Sequence, residues 1–196
     1  LGLGLASVLV ATPFILIQWN LKRLLAYSSV EHVGIMAIGF GLGGEAATLG
    51  ALLHMTYHTF AKPVAFFSAG TLAQLHGSSD LDAIGGGTLS RTPVASGLLL
   101  LATLMVTGSP PFGLFWSEMT ILKAGFFGPH VAVVAVFLAA LVVLFCGFFY
   151  QVGRVVLGPQ PAEPRHAFAP ETVDFCLVTA IVSAGREVRL QFEGWP

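Results

Sequence analysis

Apolar residues run along this chain in long blocks, each ended by a short polar or glycine-rich interruption. The first block is 1–19, "LGLGLASVLVATPFILIQW", and carries no charge. The second runs over about 24–43, the third over about 46–75, the fourth over about 93–125 and the fifth over about 129–152. Each approaches or exceeds the roughly 20 residues a helix needs to cross about 30 Å of hydrocarbon. The third and fourth are too long to be straight single crossings. Pro63 removes a backbone donor inside the third and predicts a kink there. The run "TGSPPFG" at 107–113 breaks the fourth, and such breaks persist at membrane depth where they are buried or line a watery cavity. The pattern predicts an all-α fold: a polytopic transmembrane helix bundle of about five spans with one broken helix at 107–113.

Composition strengthens that picture. The 196 residues are 55% hydrophobic and 10% charged, where soluble domains carry about 25% charge. A net charge of −1 gives no ground for a nucleic-acid partner. Cys146 and Cys176 lack metal-ligand or redox spacing. The first residue is Leu1, already inside an apolar block, which leads us to expect that the sequence is part of a longer chain.

Alternating loops divide the basic residues unequally. Loops one, three and five hold Lys22, Arg23, Arg91, Arg154 and Arg165, whereas loops two and four hold Lys123. The positive-inside rule then puts Lys22 and Arg91 in the cytoplasm. Residues 1–152 read as the helix bundle. Residues 153–196 read as a loop and an atypical or truncated tail, whose stretch 172–184 is apolar but short for a span.

Charged groups at a bilayer centre cost about 2.5–3.5 kcal/mol each on insertion scales and usually face protein or water. His54, His58 and Lys62 recur every four residues, which places them on one helix face. Glu31 and His32 lie about 13 Å along the second helix from Lys22–Arg23, and Glu118 follows the break. Ser28, Ser29, Thr56 and Tyr57 add hydroxyls able to hold water. Plainer readings stand beside this one. His32 alone fits a satisfied core histidine. His54 and His58 have a metal-ligand spacing but no third ligand at a familiar distance. Lys62 and Glu118 could form a structural buried pair. His76, Asp80 and Asp82 read as a solvated loop, and Glu45 and His130 as helix-end residues. Met55, Phe60, Phe66 and Phe67 read as lipid-facing or packing groups, and Gly39, Gly41, Gly43 and Gly44 as a close-packing stripe. As a set, histidines that titrate near neutrality, a lysine and carboxylates beside a broken helix indicate a proton or cation pathway.

Three stretches carry a resemblance. "LKRLLAYSSVEHVGIMAIG" (21–39), "LLHMTYHTFAKPVAFFSAGTLA" (52–73) and "VTGSPPFGLFWSEMTIL" (106–122) resemble signatures of the antiporter-type membrane subunits of respiratory complex I and energy-converting hydrogenases. The SPPFGLFxSE form is similar to the hydrogenase-4 component F and formate hydrogenlyase type. The resemblance implies that Lys62 is the lysine of a central hydrophilic axis, with His54 and His58 as relay neighbours. It implies that Glu118 is the terminal ionisable residue on the broken helix and His32 the histidine of the Y-S-S-x-x-H motif. Glu31 occupies a variable position, so its place in the relay rests on burial. Asn20 stands where the family usually has Asp. Family members have two inverted helical repeats, and this chain matches the second.

The expected function is a proton-translocating membrane subunit, or fragment, of a redox-driven complex such as a membrane-bound hydrogenase or NADH:quinone oxidoreductase. It would sit multi-pass in the cell inner or plasma membrane. The expected partners are the lipid bilayer, other membrane subunits of such an assembly and protons, or Na⁺. No nucleotide loop, quinone-specific pocket or redox ligand set is visible, so no cofactor or metal is expected on this chain. Two alternatives remain open: a component of a multi-subunit Na⁺/H⁺ antiporter, and a partial gene product without activity.

Overall fold

The structure is a computed structural model that describes residues 1–159. Eight helices make up these residues: α1 (Gly2–Ile17), α2 (Leu21–Leu42), α3 (Gly44–Leu75), α4 (Leu81–Ile84), α5 (Thr88–Arg91), α6 (Pro93–Val106), α7 (Gly113–Phe126) and α8 (Val131–Leu157). The expected tail at 172–184, Arg165 and Cys176 lie outside the described residues. The blocks read from hydropathy match α1, α2, α3, the α6–α7 pair and α8, with shifted edges. α2 starts earlier than expected because Asn20 caps it: its side chain accepts a hydrogen bond from the Arg23 amide at 3.2 Å. α1 ends at Ile17, and the Gln151 side chain donates to the Leu16 and Gln18 carbonyls at that end. α8 continues to Leu157 because Val152, Val155 and Val156 in its last turns are buried.

α3 is 32 residues long, about 48 Å at 1.5 Å per residue, and runs through Pro63 without ending. It packs against α2, α6 and α7, while α8 packs against α1 and α6. The core between them is aliphatic, with Val8, Ile15, Leu24, Ile35, Leu72, Leu99 and Phe137 fully buried. The outer faces are apolar too. Met55, Phe60, Phe66 and Phe67 are exposed, alongside Val33, Val142 and Phe145 on other helices, the surface a lipid environment favours.

The glycines divide into two kinds. Gly4 and Gly34 let α1 and α2 touch, since a Cβ at Gly34 would come within 2.9 Å of the Gly4 carbonyl. Gly39 meets Ala51 in the same way. Gly43 and Gly44 do not pack at all; they adopt φ of 71° and 77° and form the turn between α2 and α3.

One end of the bundle is tied together by polar groups. Asn20 and Asp80 form a β-bridge and a 3.0 Å side-chain hydrogen bond. Arg154 bonds Asp82 at 2.9 Å and stacks over Trp19. The loop expected to be solvated at His76, Asp80 and Asp82 keeps both aspartates exposed while they also tie it to α8 and the start of α2. Glu45 and His130 sit at helix ends, in the first turn of α3 and at the N-cap of α8.

Candidate functional site

The break between α6 and α7 prepares the site. Pro110 stands four residues after Val106 and has no N–H, so the Val106 carbonyl loses its helical donor. Gly108 turns the chain at φ 63°, and a Cβ there would collide with the Glu118 carboxyl. Ser109 donates its amide to the Leu104 carbonyl, and α7 restarts at Gly113, which lies against the Tyr57 ring. Glu118, one turn into α7, thus folds back over the broken segment.

Three helices aim their polar residues at one buried line. From α2 come Ser28, Glu31 and His32; from α3, His54, half-buried His58 and Lys62; from α7, Ser117 and Glu118. The spacings of three and four residues within α2 and α3 put each set on one helix face. Lys62 Nζ donates to the Leu25 carbonyl at 2.9 Å and to Ser28 Oγ at 2.5 Å. Glu31 lies within electrostatic reach of Lys62 and of Glu118. Between Glu31 and Glu118 is a cavity of about 10 Å³ lined also by Val106, Thr107 and Phe148, room for about one water. His32 Nδ1 lies 2.9 Å from His54 Nε2, and His54 Nδ1 lies 2.9 Å from Ser117 Oγ. The His58 ring stands 4.8 Å from the His32 ring, centre to centre. The Val106 backbone faces His32, but Nε2 of His32 has no hydrogen-bond partner among the described residues.

All six residues singled out in the sequence, Lys62, Glu118, His58, His54, His32 and Glu31, meet here. Two sequence readings are corrected. Lys62 and Glu118 do not form an ion pair; Lys62 turns to Ser28 and Leu25 on α2 because those acceptors lie across the α2–α3 contact. Thr56 is exposed and bonds its own helix at Leu52, so it lies off the polar line. Both α3 histidines face His32 of α2, His54 at hydrogen-bond distance and His58 through ring contact. Ser117 was not foreseen. Its signal was its position directly before Glu118, which fixes it beside the same helix face as His54 once α7 is in place.

A ligand atom from each of His32, His54 and Glu118 lies within 4.8 Å of the others, close enough to ask whether they hold a metal. His32 Nδ1 and His54 Nε2 stand 2.9 Å apart, at hydrogen-bond distance. We therefore read them as a hydrogen-bonded pair. What the arrangement offers chemically is a cluster of groups able to take and give protons, most of them buried among apolar side chains.

Known proteins share the sequence pattern and the fold of this chain. Residues 1–144 match the family described as NADH:quinone oxidoreductase/Mrp antiporter, TM. The chain is 40% identical over 125 residues to the hydrogenase-4 component F homolog of Methylacidiphilum infernorum (isolate V4), covering 64% of this chain and 26% of that protein. It is 32% identical over 148 residues to the chloroplastic NAD(P)H-quinone oxidoreductase subunit 5 of Manihot esculenta, covering 71% of this chain and 19% of that protein. Among solved structures, a chain of the membrane-bound sulfane sulfur reductase, an archaeal respiratory membrane complex, superposes with a TM-score of 0.75 at 26% identity. That match covers 98% of this chain and 39% of the other. The chain thus spans about a fifth to a quarter of the curated relatives just named. On the extent of the family match and the agreement in fold, the chain belongs to the NADH:quinone oxidoreductase/Mrp antiporter transmembrane family.

Proposed function

We propose that this chain supplies half of a proton pathway to an antiporter-like subunit of a redox-driven membrane complex, of the hydrogenase or NADH:quinone oxidoreductase type. The observation that carries the reading is the convergence of buried Lys62, Glu31, Glu118, His32 and His54, with half-buried His58, from three packed helices. Isolated buried charges are costly at membrane depth. A file of them, bridged by hydroxyls and a water-sized cavity, is what proton transfer through a dry slab requires. Protons pass between Lys62 and the histidine pair by way of Glu31, the cavity and Glu118. Electrons are handled by other subunits, and the 40% identity to a hydrogenase-4 component F homolog favours the hydrogenase branch. The host is the cell inner or plasma membrane, with the Lys22 and Arg91 end in the cytoplasm.

A second reading shares the same residues. A component of a Na⁺/H⁺ antiporter would use the line for sodium-coupled exchange, and the family description itself includes the Mrp antiporter. Inverted membrane vesicles carrying the full assembly separate the two. Redox-driven acidification that falls about a hundredfold in Lys62→Ala and Glu118→Ala, with assembly intact, is the expected result. Unchanged acidification in both variants would overturn the proposal. Collapse of a pH gradient by added sodium, without any electron donor, would favour the antiporter.

A further inference from the structure

Ser117 is fully buried, and its hydroxyl makes two short contacts. Oγ lies 2.7 Å from the Leu114 carbonyl and 2.9 Å from His54 Nδ1. A carbonyl oxygen only accepts, and a serine hydroxyl has one hydrogen to give. That hydrogen therefore goes to Leu114. Turned toward His54 instead, it would leave oxygen lone pairs facing each other across 2.7 Å. Ser117 Oγ is then an acceptor toward His54, so His54 Nδ1 carries a hydrogen. In a neutral ring, Nε2 of His54 is bare. It sits 2.9 Å from His32 Nδ1, so His32 must supply the hydrogen of that bond. A neutral His32 is left with a bare Nε2, the same buried nitrogen that has no hydrogen-bond partner among the described residues.

We propose that Ser117 is a positioning residue that fixes the tautomers of the His54–His32 pair and leaves His32 Nε2 as the nitrogen of the pair open to a proton. The inference rests on the proton-pathway reading above and says how one segment of it is set. The transfer balances as follows. A proton arriving from the Glu31–Glu118 side bonds to His32 Nε2. The Nδ1–H bond of His32 breaks as that proton passes to His54 Nε2. His32 ends neutral, with its hydrogen on Nε2. His54 ends as an imidazolium, donating from Nδ1 to Ser117 and from Nε2 to His32. One proton has entered, and its charge stands one ring further along. The reverse shift discharges the pair.

The test is nitrogen-15 NMR of the histidine-labelled full chain in lipid, the six histidines being assigned through single His→Gln variants. The expected spectrum has the hydrogen of neutral His54 on Nδ1 and a coupling across the His32 Nδ1–H···Nε2 His54 bond. Ser117→Ala should erase the Nδ1 preference and slow proton translocation about tenfold or more; Ser117→Thr, which keeps the hydroxyl, should retain both. His54 carrying its hydrogen on Nε2 in the unaltered protein would overturn the proposal. So would tautomer signals unmoved by Ser117→Ala. The spectra are recorded on resting protein, so they report the tautomers independently of whether the assembly pumps protons. A failure of the pathway reading appears instead as unaltered pumping in Lys62→Ala.

Discussion

Ser28 illustrates how single residues make a buried ammonium tolerable. It accepts from Lys62 Nζ and donates to the Leu25 carbonyl at 3.0 Å, so lysine, serine and carbonyl close a small triangle between α2 and α3. Hydrogen bonds to a charged group are worth about 1.5–3 kcal/mol net. Ser28→Ala should therefore lower unfolding stability in detergent by about 2 kcal/mol. An unchanged unfolding transition would show that Lys62 finds another acceptor at no cost. At this scale much was legible in the sequence. The four-residue recurrence of His54, His58 and Lys62 is visible by eye, and charge within an apolar block marks Glu31, His32 and Glu118. Ser117 was not legible, because serine is common in helices and its importance arises from a contact with another rod. Nor could spacing reveal that Lys62 bonds Ser28 rather than pairing with Glu118.

At the scale of helices, small residues decide how closely the polar faces meet. α1 and α2 touch through Gly4 and Gly34, where an added Cβ would approach backbone to 2.7 Å or 2.9 Å. Gly34→Leu should push the two helices apart at an overpacking cost of about 1–3 kcal/mol. Because His32 lies two residues before Gly34 on the same helix, the variant should also impair proton translocation. Full translocation with normal assembly in Gly34→Leu would argue against tight coupling between that contact and the site. Block pattern alone disclosed the helices and the break at 107–113, since proline, glycine and apolar runs act locally. Helix edges were less legible. Asn20 as a cap, Gln151 at the end of α1, and the continuation of α8 to Leu157 each depend on partners distant in sequence. The glycine stripe was misread at Gly43 and Gly44 because a turn glycine and a packing glycine are the same letter.

For the whole molecule, the decisive property is the phase of each helix against its neighbours. Periodicity tells which face of α3 carries His54 and Lys62, but not that α2 and α7 turn Glu31, His32 and Glu118 toward that same face. That alignment is a consequence of packing α3 among α2, α6 and α7 around an aliphatic core. It also explains why the fourth rod is broken. The break frees the Val106 carbonyl, and the turn at Gly108 brings the Glu118 carboxyl back to the cavity shared with Glu31. The central claim is that these buried carboxyls exchange protons while the assembly works. Infrared difference spectroscopy, comparing the resting and the energised assembly in the carboxyl stretching region, addresses it most directly. The account predicts difference bands that disappear in Glu31→Gln and in Glu118→Gln; a difference spectrum identical in the unaltered protein and both variants would contradict it.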